Sequence, residues 1–407
     1  MLNKEMRVFS VQKASWIAAV MLFLFIPPYF MWGLLSNNVF RIIFTILECG
    51  IFYHFRDKAD TRDMGLKFLF IGTLLYYILG GIINEQSNLF GVIARFTTML
   101  LITIPFMKRE FSRLVYEDFL NIYVVFISIS LSVYICAQLG YISPIGQITI
   151  EQHDRVYTVY PLLVLDKGVD ILRFYGPFNE PGVVGTLGAV LLCTQKFNFK
   201  DWRTLIILLA GVLSMSLFFF ALVIGYGVVY LVFLRKKYLI AVLFTVCFTL
   251  FYVQTKEAPV LYNILWQRFE WDETNHKFKE DNRENDAVDK FYDELKKKPA
   301  FWFGSPKSEV ERFWKLVGET SSYKVIVLNS GMIFLILYLL FFVILAKKHK
   351  TNNKAFILFI LVLVANTYQR PDIYSIVMIF IYSYFARWGL DNLIEDKNKL
   401  KKKKCLI

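Results

Sequence analysis

The stretch Arg173-Phe-Tyr-Gly-Pro-Phe-Asn-Glu-Pro-Gly182 is the densest collection of chemistry-bearing residues in the chain. Proline suits the first turn of a helix, where a missing N–H leaves no bond unmade. The spacing therefore predicts a helix opening at Pro181, with Arg173, Asn179 and Glu180 beside its N-terminus. Unpaired N–H groups at such an end attract anions. A guanidinium adds forked donors that match phosphate or diphosphate oxygens. An ordinary helix-entry turn held by a salt bridge would use the same residues, and local chemistry leaves both readings open. Tyr368-Gln-Arg-Pro-Asp372 offers another arginine, Arg370, in a turn between two apolar stretches. Arg41, Glu48 and Arg95 fall inside apolar stretches. An ionisable group there is costly and marks a candidate site, with snorkelling to the headgroups as the alternative for the arginines. His54, His153, His276 and His349 are scattered, and no Gly-rich phosphate loop, Ser/His/Asp arrangement or nucleotide-binding domain stands out. The five cysteines have no metal-ligand spacing and suggest no disulfide. No metal and no cofactor are expected.

The elements that must hold these residues are apolar blocks. The 407 residues are 56% hydrophobic and only 19% charged, below the roughly 25% charged share of soluble domains. Blocks of about 20 apolar residues suit a bilayer core of roughly 30 Å. The reading is an all-α polytopic membrane protein of about 12 transmembrane helices. Spans are expected near 15–34, 39–54, 68–83, 89–107, 119–139, 179–195, 204–215, 217–234, 238–254, 325–346, 355–368 and 373–386. Residues 202–234 are too many for one span and are expected to split at Ser214-Met215-Ser216 into a helical hairpin. Pro27-Pro28 follows the first apolar stretch where a cleavage site would need small residues, so that stretch reads as an uncleaved span.

Charge tests the layout. The net charge of +13 could suggest nucleic acid, but the basic residues track the loops. Segments expected in the cytoplasm sum to +16, and those expected outside sum to −3. The short outer loops Ser36-Asn37-Asn38 and Asn84–Asn88 hold no Lys or Arg. Both ends then lie in the cytoplasm, and the basic tail Lys397–Lys404 contacts anionic lipid. No nucleic-acid partner is expected.

Five regions follow: helices one to five in 1–139, a first outer loop in 140–178, helices six to nine in 179–254, a large outer loop in 255–324, and three helices with the tail in 325–407. The large loop carries apolar stripes at helical spacing: Val288, Phe291, Tyr292, Leu295, then Val310, Phe313, Trp314, Val317. Ser308-x-x-Glu311 reads as a capping box for the second stripe. The expected form is an amphipathic, partly helical cap. Its aromatics, Trp266, Phe269, Trp271, Trp302 and Trp314, could stack on sugar rings or anchor at the interface.

These features together resemble the Wzy-type O-antigen (polysaccharide repeat-unit) polymerases, within the superfamily that also holds the O-antigen ligases. The resemblance covers most of the chain. It rests on the span count, Arg173–Gly182, Gly211-Val-Leu-Ser-Met-Ser216, Phe303-Gly-Ser, Ser321-Ser-Tyr, Ser330-Gly331 and Tyr368-Gln-Arg-Pro371. Family members often carry an arginine after the hairpin serine, where this chain has Leu217. The resemblance implies a GT-C-like fold and metal-independent, inverting glycosyl transfer at the periplasmic face of the bacterial inner membrane. Donor and acceptor would both be glycans on undecaprenyl diphosphate, with membrane lipid and a chain-length regulator protein as further partners. Arg173, Glu180 and Arg370 would be catalytic: Arg173 and Arg370 on one diphosphate, with Arg95 approaching from within the bundle, and Glu180 orienting Arg173 or accepting the proton of the acceptor hydroxyl. Arg95, Tyr175, Asn179, Arg268, Trp302, Trp314 and Tyr323 would bind substrate. Two other readings stay open, an O-antigen ligase and a flippase for lipid-linked oligosaccharide.

Overall fold

A computed structural model describes residues 2–26, 28–32, 64–85, 104–107, 109–150, 155–167, 173–234, 238–259, 271–272, 277–278, 286–317, 323–350, 352–369 and 375–389, with isolated residues between. In chain order the helices are α1 (Leu2–Leu24), α2 (Met64–Ile83), α3 (Arg109–Gln138), α4 (Pro181–Thr194), α5 (Trp202–Leu213), α6 (Leu217–Val229) and α7 (Tyr238–Lys256). They continue as α8 (Asp286–Lys296), α9 (Ala300–Phe303), α10 (Lys307–Val317), α11 (Tyr323–His349), α12 (Asn353–Gln369) and α13 (Ile376–Tyr384). The strands are β1 (Gly146–Ile150), β2 (Arg155–Tyr160), β3 (Leu163–Asp166), β4 (Trp271–Asp272) and β5 (Lys277–Phe278). Of the described residues, 77% are helical. Among the described residues, α3 and α11 are long and apolar enough to cross a membrane, and shorter apolar helices accompany them. The spans expected near 39–54 and 89–107 fall largely outside the described residues.

The chain divides into two compact units, Met1–Phe40 with Leu114–Glu270, and Arg41–Arg113 with Trp271–Ile407. In the first, α1 lies on α3. The Phe23 and Phe126 rings are 4.6 Å apart, and the Ser15 hydroxyl donates to Asp118 at 2.6 Å. The span expected to reach residue 34 stops as a helix at Leu24, because the residue before a proline is pushed out of the α region. A single 3-10 turn, Tyr29–Met31, follows.

Residues 140–178, expected as loop, contain a three-stranded antiparallel sheet in the order β1-β2-β3. Ile148 faces Tyr157, and Val159 faces Val164. Its signal is present in the sequence: Ile-Thr-Ile and Val-Tyr-Thr-Val-Tyr alternate β-branched and aromatic residues, which fit a pleated surface. β2 buries Tyr157 and Val159 at alternate positions, and β3 is buried throughout. The Ser130 hydroxyl of α3 donates to the Leu162 carbonyl at 2.5 Å and ties down the β2–β3 turn.

The split at Ser214-Met215-Ser216 is where the sequence put it. α5 ends at Leu213 and α6 begins at Leu217. Met215 takes φ 49°, the left-handed residue that reverses the chain. α4 packs against both arms. A Cβ on Gly185 would lie 2.2 Å from the Cβ of Ser216, so only glycine allows this approach.

At the other end of α5, Asp201 caps the helix by accepting the Arg203 N–H at 3.0 Å. The Arg203 guanidinium spans from Asp201, at 2.6 Å, to Glu117 and Asn121 on α3, both at 2.8 Å. The Arg203 hydrogen bond holds the Asp201 carboxyl below its ordinary value. Hydrogen bonds to charged groups contribute about 1.5–3 kcal/mol, less where solvent reaches them. Arg203→Ala should therefore lower stability by about 1–2 kcal/mol, read as the midpoint of thermal unfolding in detergent. A lowered folded pKa gives stability that is complete above the unfolded value, about 3.9 for Asp, and is lost as pH falls through the folded one. The gap between wild type and Arg203→Ala should thus narrow below about pH 4. A pH-independent gap would show that Asp201 is not the partner that matters.

In the second unit, α11 breaks at Gly331, with φ 82° and ψ 161°. Phe303-Gly-Ser305 lies against the break, where the Ser305 N–H donates to the Leu328 carbonyl at 2.8 Å. Gly304 has φ 90°. Asn84, just past α2, holds the same segment: its carbonyl accepts the Lys307 N–H at 3.0 Å, and its amide donates to the Phe303 carbonyl at 3.3 Å. The α8 stripe Val288, Phe291, Tyr292, Leu295 is buried, with Phe291 edge-on to Phe313 of α10 at 5.0 Å. On α10, Phe313 and Val317 are buried, whereas Trp314 stays 38% exposed. The capping box is not formed as expected. α10 begins at Lys307, because the Pro306 carbonyl already accepts from Glu309 and Val310. Ser308 therefore sits in the first turn, and Glu311 faces Lys307 at 3.8 Å instead. Past α13, Arg387 is wholly buried. It donates to the Pro105 carbonyl and lies over the Trp388 ring at 4.7 Å.

Candidate functional site

In the first unit the structure gathers Arg173, Tyr175, Asn179 and Glu180. Glu180 is the N-cap of α4, in extended geometry, and Pro181 opens the helix as expected. Its side chain makes no capping bond, but a carboxylate there complements the positive helix end. Arg173 is fixed by the helical hairpin. Its Nε donates to the Ser214 carbonyl at 3.3 Å, and the next N–H, of Phe174, donates to the Leu213 carbonyl at 2.8 Å. These carbonyls close the C-terminus of α5, the helix end that favours a cation. Ser214 and Ser216 in turn touch α4 at Gly185, one turn inside its N-terminus. The hairpin tip therefore joins a guanidinium to a helix N-terminus through packed backbone.

The sheet supplies the rest of the frame. The Tyr157 hydroxyl donates to the Asn179 carbonyl at 3.0 Å, and the Val164 N–H donates to the Gly176 carbonyl at 3.0 Å. The Asn179 side chain is exposed. Gly176 needs its φ of 60°, and a Cβ there would press on Ile127 at 3.3 Å. Tyr175 is buried, and burial pushes its phenol up to about 12. Arg173 and Arg155 pull it down, while Asp166 and Tyr157 push it up. Tyr175 is therefore a neutral hydrogen-bonding group at physiological pH. Arg155 and Asp166, which the sequence reading passed over, belong to this cluster. Their signal was the alternation of β2 and β3, which brings both strands under the arginine loop.

In the second unit, Trp302, Tyr323 and Trp314 occupy the late loop. Trp302 is 48% exposed, and its carbonyl accepts from the Tyr76 hydroxyl at 3.3 Å. Its ring begins a file: Trp302 to Phe301 at 5.1 Å, Phe301 to Tyr292 at 5.9 Å, Tyr292 to Tyr323 at 6.1 Å, Tyr323 to Tyr368 at 6.1 Å. Trp314 is not in this file and meets Phe313 at 5.2 Å. Burial pushes the Tyr292 phenol up to about 12, Tyr323 adds to this, and Lys324 opposes it. Lys324 and Asp289, paired at 2.6 Å, are further residues that sequence reasoning missed.

Arg95, Arg268, Arg370, Arg41, Glu48, His54, His153 and His276 lie outside the described residues, so the expected convergence of arginines rests on sequence. Among the described residues, no group of three His, Cys, Asp or Glu side chains could hold a metal ion. No protein-family model, curated protein or solved structure matches the chain.

Proposed function

We propose that this chain is a multi-pass inner-membrane polymerase that joins lipid-diphosphate-linked saccharide repeat units by glycosyl transfer at the outer face. The observation that carries the reading is Arg173, seated on the hairpin tip beside the N-terminal turn of α4. A hydroxyl of the acceptor glycan attacks the anomeric carbon of the donor. The new glycosidic bond forms as the bond to the diphosphate breaks, and the hydroxyl proton passes to a base. Negative charge then grows on the departing lipid diphosphate. A preorganised guanidinium and helix dipole stabilise that charge without rearrangement. Arg370 and Arg95 are proposed to act on the same anion.

The twelve-span layout, with both ends cytoplasmic, draws support from side chemistry. Within each unit, polar contacts join segments of the same assigned side: Arg173 to Ser214, Tyr29 to Pro177 and Asn84 to Lys307 outside, Ser15 to Asp118 and Arg203 to Glu117 inside. A cysteine placed at 60 should then resist an impermeant reagent applied from outside, and one at 86 should react. Labelling at 60 would sink the layout. The activity test supplies purified protein in vesicles with undecaprenyl-diphosphate-linked repeat unit. A ladder of lengthening glycans is expected. Transfer to lipid A–core instead would make the chain a ligase, and movement across the bilayer without bond formation would make it a flippase.

A further inference from the structure

Lys324 opens α11 as a nearly buried cation, 9% exposed, in a first turn where the helix dipole disfavours positive charge. Asp289 of α8 offsets this by accepting from its ammonium at 2.6 Å. That carboxylate is itself 50% exposed. It is therefore oriented by a buried ammonium and still open to solvent. The ammonium also lies 5.6 Å from the centre of the Tyr292 ring. Tyr292 stands edge-on to Tyr323, and Tyr323 stacks on Tyr368 at an interplanar angle of 25°. Tyr368 is the last ring of the file among the described residues and is 56% exposed.

An exposed ring alone would suit many ligands. The fixed carboxylate in the same cluster, linked to that ring through Lys324, Tyr292 and Tyr323, narrows the choice. Pressing an acyl chain or an apolar protein face onto this patch would strip water from the carboxylate without replacing its hydrogen bonds. An anionic ligand would meet like charge. An oligosaccharide offers what the patch lacks: a C–H face of one sugar for the ring and hydroxyl donors of another for the carboxylate, whose charge-assisted bonds are the stronger kind.

We propose that Tyr368, Tyr323 and Asp289 form a saccharide subsite, with Lys324 as the residue that positions the carboxylate. The subsite rests on the polymerase reading only for the identity of the saccharide as a repeat unit. The test uses full-length protein in nanodiscs and the repeat-unit oligosaccharide released from its lipid carrier by mild acid. Isothermal titration should show binding, and saturation transfer should reach the sugar from tyrosine rings. Tyr368→Ala removes an exposed ring and should weaken binding about tenfold, the scale of losing one aromatic contact face. Tyr368→Phe should bind nearly as wild type. Asp289→Asn keeps the shape and should weaken binding about tenfold. Lys324→Met should lose affinity, and Lys324→Arg, which keeps a cation on Asp289, should recover most of it. Wild-type affinity in both Tyr368→Ala and Asp289→Asn would overturn the subsite, and so would failure of the wild-type protein to bind the oligosaccharide. A protein that binds the oligosaccharide but does not elongate lipid-linked units would leave the subsite standing and remove the polymerase.

Discussion

On the proposed polymerase reading, folded Arg173→Ala protein should extend lipid-linked repeat units about 10²–10³-fold more slowly than wild type, the scale of losing one preorganised donor to a transition-state oxyanion. The reason is electrostatic. The departing diphosphate carries about two negative charges, tolerable in a site of low dielectric only beside fixed positive partners. Arg173 is fixed by its bond to the Ser214 carbonyl and by the neighbouring Phe174–Leu213 bond. That anchor fixes where the guanidinium stands, so that no flexible tether has to be ordered when charge develops beside it. Arg173→Lys keeps the charge and loses the fork, so it should recover only part of the rate. The Ser214 bond has a structural share, at about 1.5–3 kcal/mol or less. Thermal unfolding separates the two effects: the rate should fall far more than stability does. A near-normal rate in Arg173→Ala, with the fold intact, would leave the diphosphate clamp without its principal residue.

The sequence was most legible where one residue type does one physical job. Pro181 can begin a helix but not continue one, and α4 begins there. The hairpin split at Ser214–Ser216 was readable because the apolar run is too long for one span, and Met215 in the left-handed region completes it. The Val288–Leu295 stripe was readable from its period and is buried as a unit. The failures have equally local causes. Ser308 looks like a cap, but Pro306 precedes it and starts the helical bonding two residues earlier. Trp314 shares the spacing of Phe313 and Val317, yet it stands at the edge of the stripe and keeps an open face. Residues 140–178 lie between two apolar blocks and so stand out as a loop, whereas the period-2 alternation within them is what builds the sheet that carries Arg155 and Asp166. Lys324 and Asp289 are 35 residues apart and meet only because α8 folds back on the start of α11. Nothing local in either one announces the pair. The motifs Phe303-Gly-Ser and Ser330-Gly331 stood in the sequence as separate signatures, and their meaning is a single contact.

That contact should make Gly331→Ala one of the most damaging single-methyl changes in the chain. Gly331 adopts φ 82° and ψ 161°, a region essentially restricted to glycine and worth about 1–3 kcal/mol of strain to any other residue. The added Cβ would also fall 2.2 Å from the Trp302 carbonyl oxygen and 2.7 Å from the Gly304 nitrogen. Both are backbone atoms and cannot swing aside as a side chain could. Gly304→Ala meets the same wall from the other side, at 2.8 Å from the Asn329 carbonyl with φ 90°. Each variant should destabilise by about 3 kcal/mol or more, strain and overpacking together. The double variant should destabilise by less than the two added, because one separation of the segments relieves both clashes. Gly225→Ala, in α6 with nothing within 4 Å of its Cβ, is the matched control and should be close to neutral. Thermal unfolding of the four proteins in detergent measures all of this. The segment displaced by either clash carries Trp302 and the start of the ring file, so binding at the proposed saccharide subsite should fall along with stability. A Gly331→Ala protein that unfolds at the wild-type temperature would mean that α11 does not break against Phe303–Ser305.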